Sequence, residues 1–161
     1  MKNNKYLEVR FKIMNIRKAN LNDLDFIVKF NMNLAEETES KTLDINIVKQ
    51  GVLKVLKEEV QGKYFVCEID GTIVGQMMIL YEWSDWRNGE FIWIQSVYVD
   101  KNYRNRGVFK KLFNHVKEYC DNGENFVGLR LYVEKNNKRA KSVYSSLGMY
   151  ENYYDMYEYV K

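Results

Sequence analysis

The sequence predicts an α/β domain: a mixed central sheet with helices on both faces, its elements in the order β-α-α-β-β-β-α-β-α-β. Three observations lead there. Apolar residues recur at helical spacing in four separate stretches, with strand-like runs between them. Asp70-Gly71 and Asn88-Gly89 each join two such runs, as hairpin turns do. Phe91 to Val99 is apolar nearly throughout, the pattern of a central strand covered on both faces, and it leads through an arginine- and glycine-containing turn into a helix with one apolar side.

The elements follow in order along the chain. A first strand is predicted over Val9 to Arg17, with Met14 as an alternative start and residues 1–13 as an N-terminal extension. Asn20 or Asn22 can cap a helix whose apolar face is Leu24, Ile27, Val28, Phe30 and Leu34, because a short polar side chain accepts the unpaired N–H groups of a first turn. A polar, acidic link is expected from Glu36 to Thr42. Asp44 then caps a second helix carrying Ile47, Val48, Val52, Val55 and Leu56 and ending in Lys57-Glu58-Glu59. Tyr64 to Ile69 and Thr72 to Leu80 form the first hairpin. The second turns at Asn88-Gly89 into Phe91 to Val99, where Gln95 and Ser96 interrupt the apolar run and need hydrogen-bond partners. The helix from Gly107 places Phe109, Leu112, Phe113, Val116 and Cys120 on one face and Lys110, Lys111, Asn114, Lys117 and Glu118 on the other. A short strand follows at Leu129 to Val133. Asn137 caps a helix with Ala140, Val143, Tyr144 and Leu147 on one face, Gly148 ends it, and Glu151 to Val160 makes a last strand.

Composition bounds the function. The 161 residues, 46% hydrophobic and 15% aromatic, suffice for one domain over 1–161 with a real core. A formal charge of +3 suits an anionic ligand and falls short of the balance of a dedicated nucleic-acid binder. Cys67 and Cys120 sit in apolar patterns without metal-ligand spacing, so neither a metal nor a disulfide is expected. Met1 to Ile13 lacks the uninterrupted apolar run of a secretory signal, and no stretch has the length of a membrane span; a cytoplasmic protein is expected, with no membrane partner.

The turn is the chemically informative segment. The first N–H groups of a helix have no acceptor within it and carry partial positive charge, so they hold an anion whatever the side chains. Here Arg104, Arg106, Lys110 and Lys111 surround that helix start, which makes Arg104 to Lys110 a candidate phosphate site.

With that order and two separated motifs, the chain resembles the GNAT superfamily of N-acetyltransferases, over nearly its whole length. In that family the turn reads Arg or Gln, two residues, Gly, one residue, then Gly or Ala. Arg104-Asn105-Arg106-Gly107-Val108-Phe109 matches the first two landmarks and departs at Phe109, whose ring the helical pattern places with Leu112, Phe113 and Val116 in the core. The second family motif is met by Asn137, Ala140, Tyr144, Gly148 and Met149.

The resemblance implies acetyl-CoA as acyl donor, no metal, and a small-molecule or peptide amine as acceptor. It implies that backbone groups of Val97, Tyr98 and Val99 pair with the pantetheine arm, with the Val97 amide near the thioester carbonyl. It implies that Arg104, Asn105, Arg106, Gly107, Val108, Phe109 and Lys110 meet the pyrophosphate and that Asn137 contacts CoA besides capping its helix. Tyr144 would protonate the departing thiolate, a phenol with a pKa of about 10 being protonated at neutral pH. A homodimer fits the family. Where some members carry a basic glutamate this chain has Trp93, so the base is open: Glu82, Asp85, Glu90 or solvent. Glu36, Glu37 and Glu39 either attract a cationic acceptor or are solvated, and Trp83, Trp86 and Trp93 either wall its site or brace the hairpin. His115 is assigned no role. The alternative function is a non-catalytic acyl-CoA-binding or sensor module, and tyrosines spread over both faces of the last strand argue against a nucleic-acid platform.

Overall fold

The computed structural model describes residues 13–161, which fall into two compact units, the first ending at Leu131 and the second spanning Tyr132–Lys161. The portion of the first predicted strand over Val9 to Lys12 lies outside the described residues. The rest of it forms β1 (Met14–Lys18).

Asn20 starts the helical hairpin as expected. Its side chain accepts the Asn22 N–H at 2.9 Å while Asp23 accepts the Asn20 N–H at 2.8 Å, a reciprocal cap around a single 3-10 turn. Asp23 also holds the Arg17 guanidinium through two bonds of 2.7 and 2.9 Å, so one buried carboxylate fixes both the end of β1 and the start of the helix. That helix, α1 (Leu24–Glu39), runs further than the sequence predicts. Glu36, Glu37 and Glu39 therefore lie on its last turn and not in a link. Asp44 caps α2 (Ile45–Leu56), accepting from the Asn46 and Ile47 N–H groups at 2.8 and 3.3 Å.

The strands β2 (Gly62–Ile69) and β3 (Thr72–Ser84) meet at Asp70-Gly71, both in the left-handed region at φ 51° and 75°, as the favoured hairpin turn requires. Between β3 and β4 (Gly89–Val99) the loop is residues 85–88, and Asn88 alone has positive φ there, 49°. Gly89 is needed for a different reason: a Cβ on it would lie 2.6 Å from Val127 and 2.7 Å from the Asn125 carbonyl, so it admits the neighbouring strand. After β4 come α3 (Val108–Asp121) and β5 (Phe126–Leu131), the latter starting three residues earlier than predicted.

The sheet order is β1-β2-β3-β4-β5, antiparallel throughout except for the parallel pair β4–β5. Side chains alternate across it. Tyr64, Val66 and Tyr98 pack with Ile27, Val28 and Phe30 of α1 and with Val52 and Val55 of α2. The intervening Phe65 meets His115 of α3 at 4.8 Å between ring centres, so α3 covers the opposite face. His115 is consequently half-buried. Cys67 and Cys120 are free and buried, and burial pushes the Cys67 thiol up to about 11. Among the described residues no helix is long and apolar enough to cross a membrane.

In the second unit Asn137 caps α4 (Lys138–Ser146) by accepting the Ala140 N–H at 3.0 Å, and Gly148, at φ 87°, closes it. The strand expected over Glu151 to Val160 does not form. Tyr150, Tyr153, Tyr157 and Tyr159 are all at least 87% exposed, and since the aromatic residues fall on both faces of an extended chain, no single face offers an apolar surface to bury.

Candidate functional site

Two features of β4 shape the site. Between the register pairs Gln76–Tyr98 and Met78–Gln95, β3 contributes Met77 alone while β4 contributes both Ser96 and Val97, which is a bulge. Ser96 sits at φ 46°, a conformation that costs a non-glycine residue on the order of 1 kcal/mol and persists only where surroundings enforce it. The second feature is on the other side of the strand. The β4–β5 ladder runs from Glu90–Phe126 to Ile94–Leu131 and no further. Residues 95–99 thus extend beyond the last paired residue of β5, leaving that edge of β4 free of β5 where Val97, Tyr98 and Val99 lie.

The bulge is held from three elements. Gln76 is fully buried, and its Nε2 donates to the Ser96 carbonyl at 3.2 Å and to Asn31 Oδ1 at 2.7 Å. Asn31 Nδ2 in turn donates to the Tyr64 hydroxyl at 3.1 Å, and the Tyr64 and Ser96 side chains are also hydrogen-bonded. Burial, the dominant influence, raises the Tyr64 pKa against those bonds. Gln76 Oε1 accepts no hydrogen bond among the described residues, a deficit of about 1–3 kcal/mol for a buried polar atom.

Beyond β4, the chain turns twice through the left-handed region before α3. Asp100 caps a 3-10 turn over Lys101–Tyr103 through the Asn102 N–H at 2.9 Å; Asn105 then has φ 61° and Gly107 φ 82°. A Cβ on Gly107 would meet nothing within 4 Å, so its backbone conformation, and not crowding, calls for glycine. The helix ladder opens where the Lys111 N–H reaches the Gly107 carbonyl at 2.9 Å, and no side chain caps the end. The first-turn N–H groups therefore have no acceptor within the helix, and exposed Arg106 and Lys110 stand beside them. That arrangement suits a phosphate-bearing ligand.

Arg104 is placed differently from the other basic residues. Its Nε donates to the Val99 carbonyl at 2.9 Å and its NH2 to Glu37 Oε2 at 2.7 Å. Glu37 also accepts from the Tyr98 hydroxyl at 2.7 Å and lies 3.4 Å from Lys101. Burial raises the Glu37 pKa, but the bonds from Tyr98 and Arg104, with the charges of Arg104 and Lys101, outweigh it and the net shift is downward. Glu37, which the sequence leaves as either a lure for a cationic acceptor or a solvated residue, is a brace between α1 and the turn. Phe109 lies 6.1 Å from Phe113 between ring centres and is half-buried; the core position at that end of α3 belongs to Val108, 2% exposed. The ring therefore flanks the core and does not fill it.

The hairpin residues divide similarly. Glu82 accepts from Trp93 Nε1 and from Arg130 NH1, both at 2.5 Å, and the Arg130 guanidinium stacks 3.6 Å from the centre of the Phe91 ring. Asp85 accepts the Trp86 N–H at 2.9 Å. Trp83 and Trp86 are exposed. Sequence reasoning missed Asn31 and Gln76. The only signal for Gln76 was a polar residue inside the apolar run Ile73 to Leu80. Asn137 and Tyr144 belong to the second unit, where burial raises the half-buried Tyr144 phenol above its ordinary value.

The chain is similar to known proteins in sequence and in fold. Residues 29–149 match the model of the acetyltransferase (GNAT) family. The crystal structure of a possible acetyltransferase from Clostridium difficile 630 is 55% identical, with a TM-score of 0.87 over 93% of this chain and 99% of that one. A predicted acetyltransferase from Clostridium acetobutylicum, solved with acetyl-CoA, shares the fold at 17% identity and a TM-score of 0.75 over 91% of this chain and 96% of that one. The bovine thialysine N-epsilon-acetyltransferase is 35% identical over 77 residues, 47% of this chain. The chain spans under half the length of the curated relatives it matches, 42% and 44%.

Proposed function

The chain belongs to the acetyltransferase (GNAT) family, and from that premise we propose that it moves an acetyl group from acetyl-CoA to an amine by direct attack. The observation that carries this reading is the early end of the β4–β5 ladder beside the Ser96–Val97 bulge. It frees an edge on which an extended amide-bearing chain can pair as another strand does.

Acetyl-CoA supplies the activated acyl carbon and a thiolate leaving group. Val97, Tyr98 and Val99 hold its pantetheine arm by backbone pairing, and the Val97 N–H donates to the thioester carbonyl oxygen, where negative charge develops. First-turn N–H groups of α3 hold the pyrophosphate, while Arg106 and Lys110 offset the remaining charge. Arg104 contributes its backbone, since its guanidinium is engaged by Glu37 and Val99. The amine lone pair forms the new C–N bond as the C–S bond breaks. Tyr144 gives its proton to the sulfur, and its raised pKa keeps it protonated at neutral pH. The surplus amine proton goes to water, Glu82 being committed to Trp93 and Arg130. The acceptor is a small-molecule or peptide amine, a class in keeping with the thialysine named for the bovine relative.

Thermal unfolding with acetyl-CoA, with ATP as a phosphate control, tests the donor half. Ligand at a hundred times its dissociation constant stabilises a fold by about 2.7 kcal/mol. A rise with acetyl-CoA alone, followed by thiol release against an amine panel, is the expected result. No rise at saturation refutes the donor site, and a rise without thiol release against any amine leaves an acyl-CoA-binding module.

A further inference from the structure

We propose that Gln76 and Asn31 are positioning residues for the transfer: they hold the bulge in the one shape that presents the Val97 amide to the thioester. The inference rests on the donor-site reading above and extends it to residues behind the strand.

The argument begins with Ser96. A serine at φ 46° relaxes toward negative φ unless its peptide is held, and a change there re-aims the next N–H, that of Val97. Three elements converge on this one residue. Gln76 of β3 grips the Ser96 carbonyl, Tyr64 of β2 bonds its side chain, and Asn31 of α1 orients both partners through its own amide. The direction of the Gln76 amide is fixed by chemistry, because turning it would set Oε1 against the Ser96 carbonyl oxygen, another acceptor.

A second observation separates this arrangement from ordinary core packing. Gln76 is fully buried between Val74 and Met77, which are equally buried, and it leaves Oε1 unpaired. An apolar side chain of the same length would remove that unpaired atom but would strip the Ser96 carbonyl and Asn31 Oδ1 of their donor. The amide is retained with one oxygen unpaired because its N–H groups serve those two acceptors, and one of them is the grip on Ser96.

The test uses Gln76→Met, which keeps length and burial but loses the donor, and places Ser96→Gly in the same background. Glycine adopts positive φ without help, so it restores the bulge that the methionine no longer holds. With an amine substrate found for the wild-type protein, Gln76→Met is expected to lower kcat at least about tenfold, in line with the cost of small misplacements near reacting atoms, and Ser96→Gly to recover most of that loss. Calorimetric titration should show Gln76→Met weakening acetyl-CoA while CoA, which lacks the thioester carbonyl, binds as before. Asn31→Ala removes the orienting oxygen without altering β3 and should repeat the pattern if Gln76→Met fails to fold. Unchanged kcat in a folded Gln76→Met, or an equal loss with and without Ser96→Gly, overturns the proposal. Failure of the donor-site reading is distinct: the wild-type protein then binds neither ligand. Hydrogen exchange at the Ser96 and Val97 amides still reads the brace in that case, and exchange unchanged by Gln76→Met overturns it.

Discussion

Glu37→Gln isolates the brace between α1 and the turn into α3. The substitution keeps the shape of the side chain and removes its charge, so Arg104 at 2.7 Å and Lys101 at 3.4 Å lose their carboxylate while the Tyr98 hydroxyl keeps an acceptor. A hydrogen bond to a charged group contributes about 1.5–3 kcal/mol. Arg104 keeps 37% and Glu37 22% of side-chain exposure, so solvent screening places the expected loss at the low end, about 1–2 kcal/mol. For a chain of this size that is a fall in thermal midpoint of roughly 3–6 °C at pH 7. The pH dependence has a definite sign. Glu37 has a lower pKa folded than unfolded, so its contribution is fully present above the ordinary carboxylate range and disappears as pH falls through the lowered folded value. Scanning calorimetry on wild type and Glu37→Gln between pH 7 and pH 3.5 should show two midpoints converging on acidification. A midpoint unchanged at pH 7, or a gap that widens as pH falls, refutes the assignment of Glu37 as a brace.

Two further predictions concern the reaction. Tyr144→Phe should lower kcat by about 10²–10³ with little change in the KM for acetyl-CoA, because general acid catalysis acts on the departing thiolate and not on binding. The wild-type rate should rise with pH as the acceptor amine loses its proton and fall only above pH 10, since burial raises the Tyr144 phenol; activity of Tyr144→Phe matching wild type across that range removes the tyrosine from the mechanism. Gly107→Ala puts a Cβ on a residue at φ 82° and should cost about 1–2 kcal/mol in urea unfolding while weakening acetyl-CoA, as the first turn of α3 is re-aimed. Wild-type affinity in Gly107→Ala would show that this turn does not hold the pyrophosphate.

Local chemistry made most of the framework legible in the sequence. Asp44 and Asn137 have side chains that reach the N–H groups three residues on or fewer, so both caps could be named without knowing what else was nearby. Asp70-Gly71 specifies its turn by φ preference alone, and the apolar stripes of α1, α2 and α3 fixed which faces pack. The end of α1 was less legible, because Glu36 to Glu39 reads as a polar link until Glu37 is seen beside Tyr98 and Arg104, residues distant along the chain.

Periodicity and contacts within a few residues made the alternation of elements through Gly148 legible in the chain. The family came from two motifs that resemble those of known members, and that resemblance extends the candidate donor site back from the turn to Val97. Packing across the assembled chain settled that Glu37 is engaged by Arg104, that Val108 and not Phe109 takes the core position, and that Glu151 to Val160 forms no strand. It alone brought Asn31, Tyr64 and Gln76 together on Ser96, from α1, β2 and β3 onto β4. A hydrogen bond between residues 20 to 45 positions apart leaves no periodic trace in the chain, and a strained φ is set by the partners that hold it, so both exist only once the sheet and its covering helix have assembled.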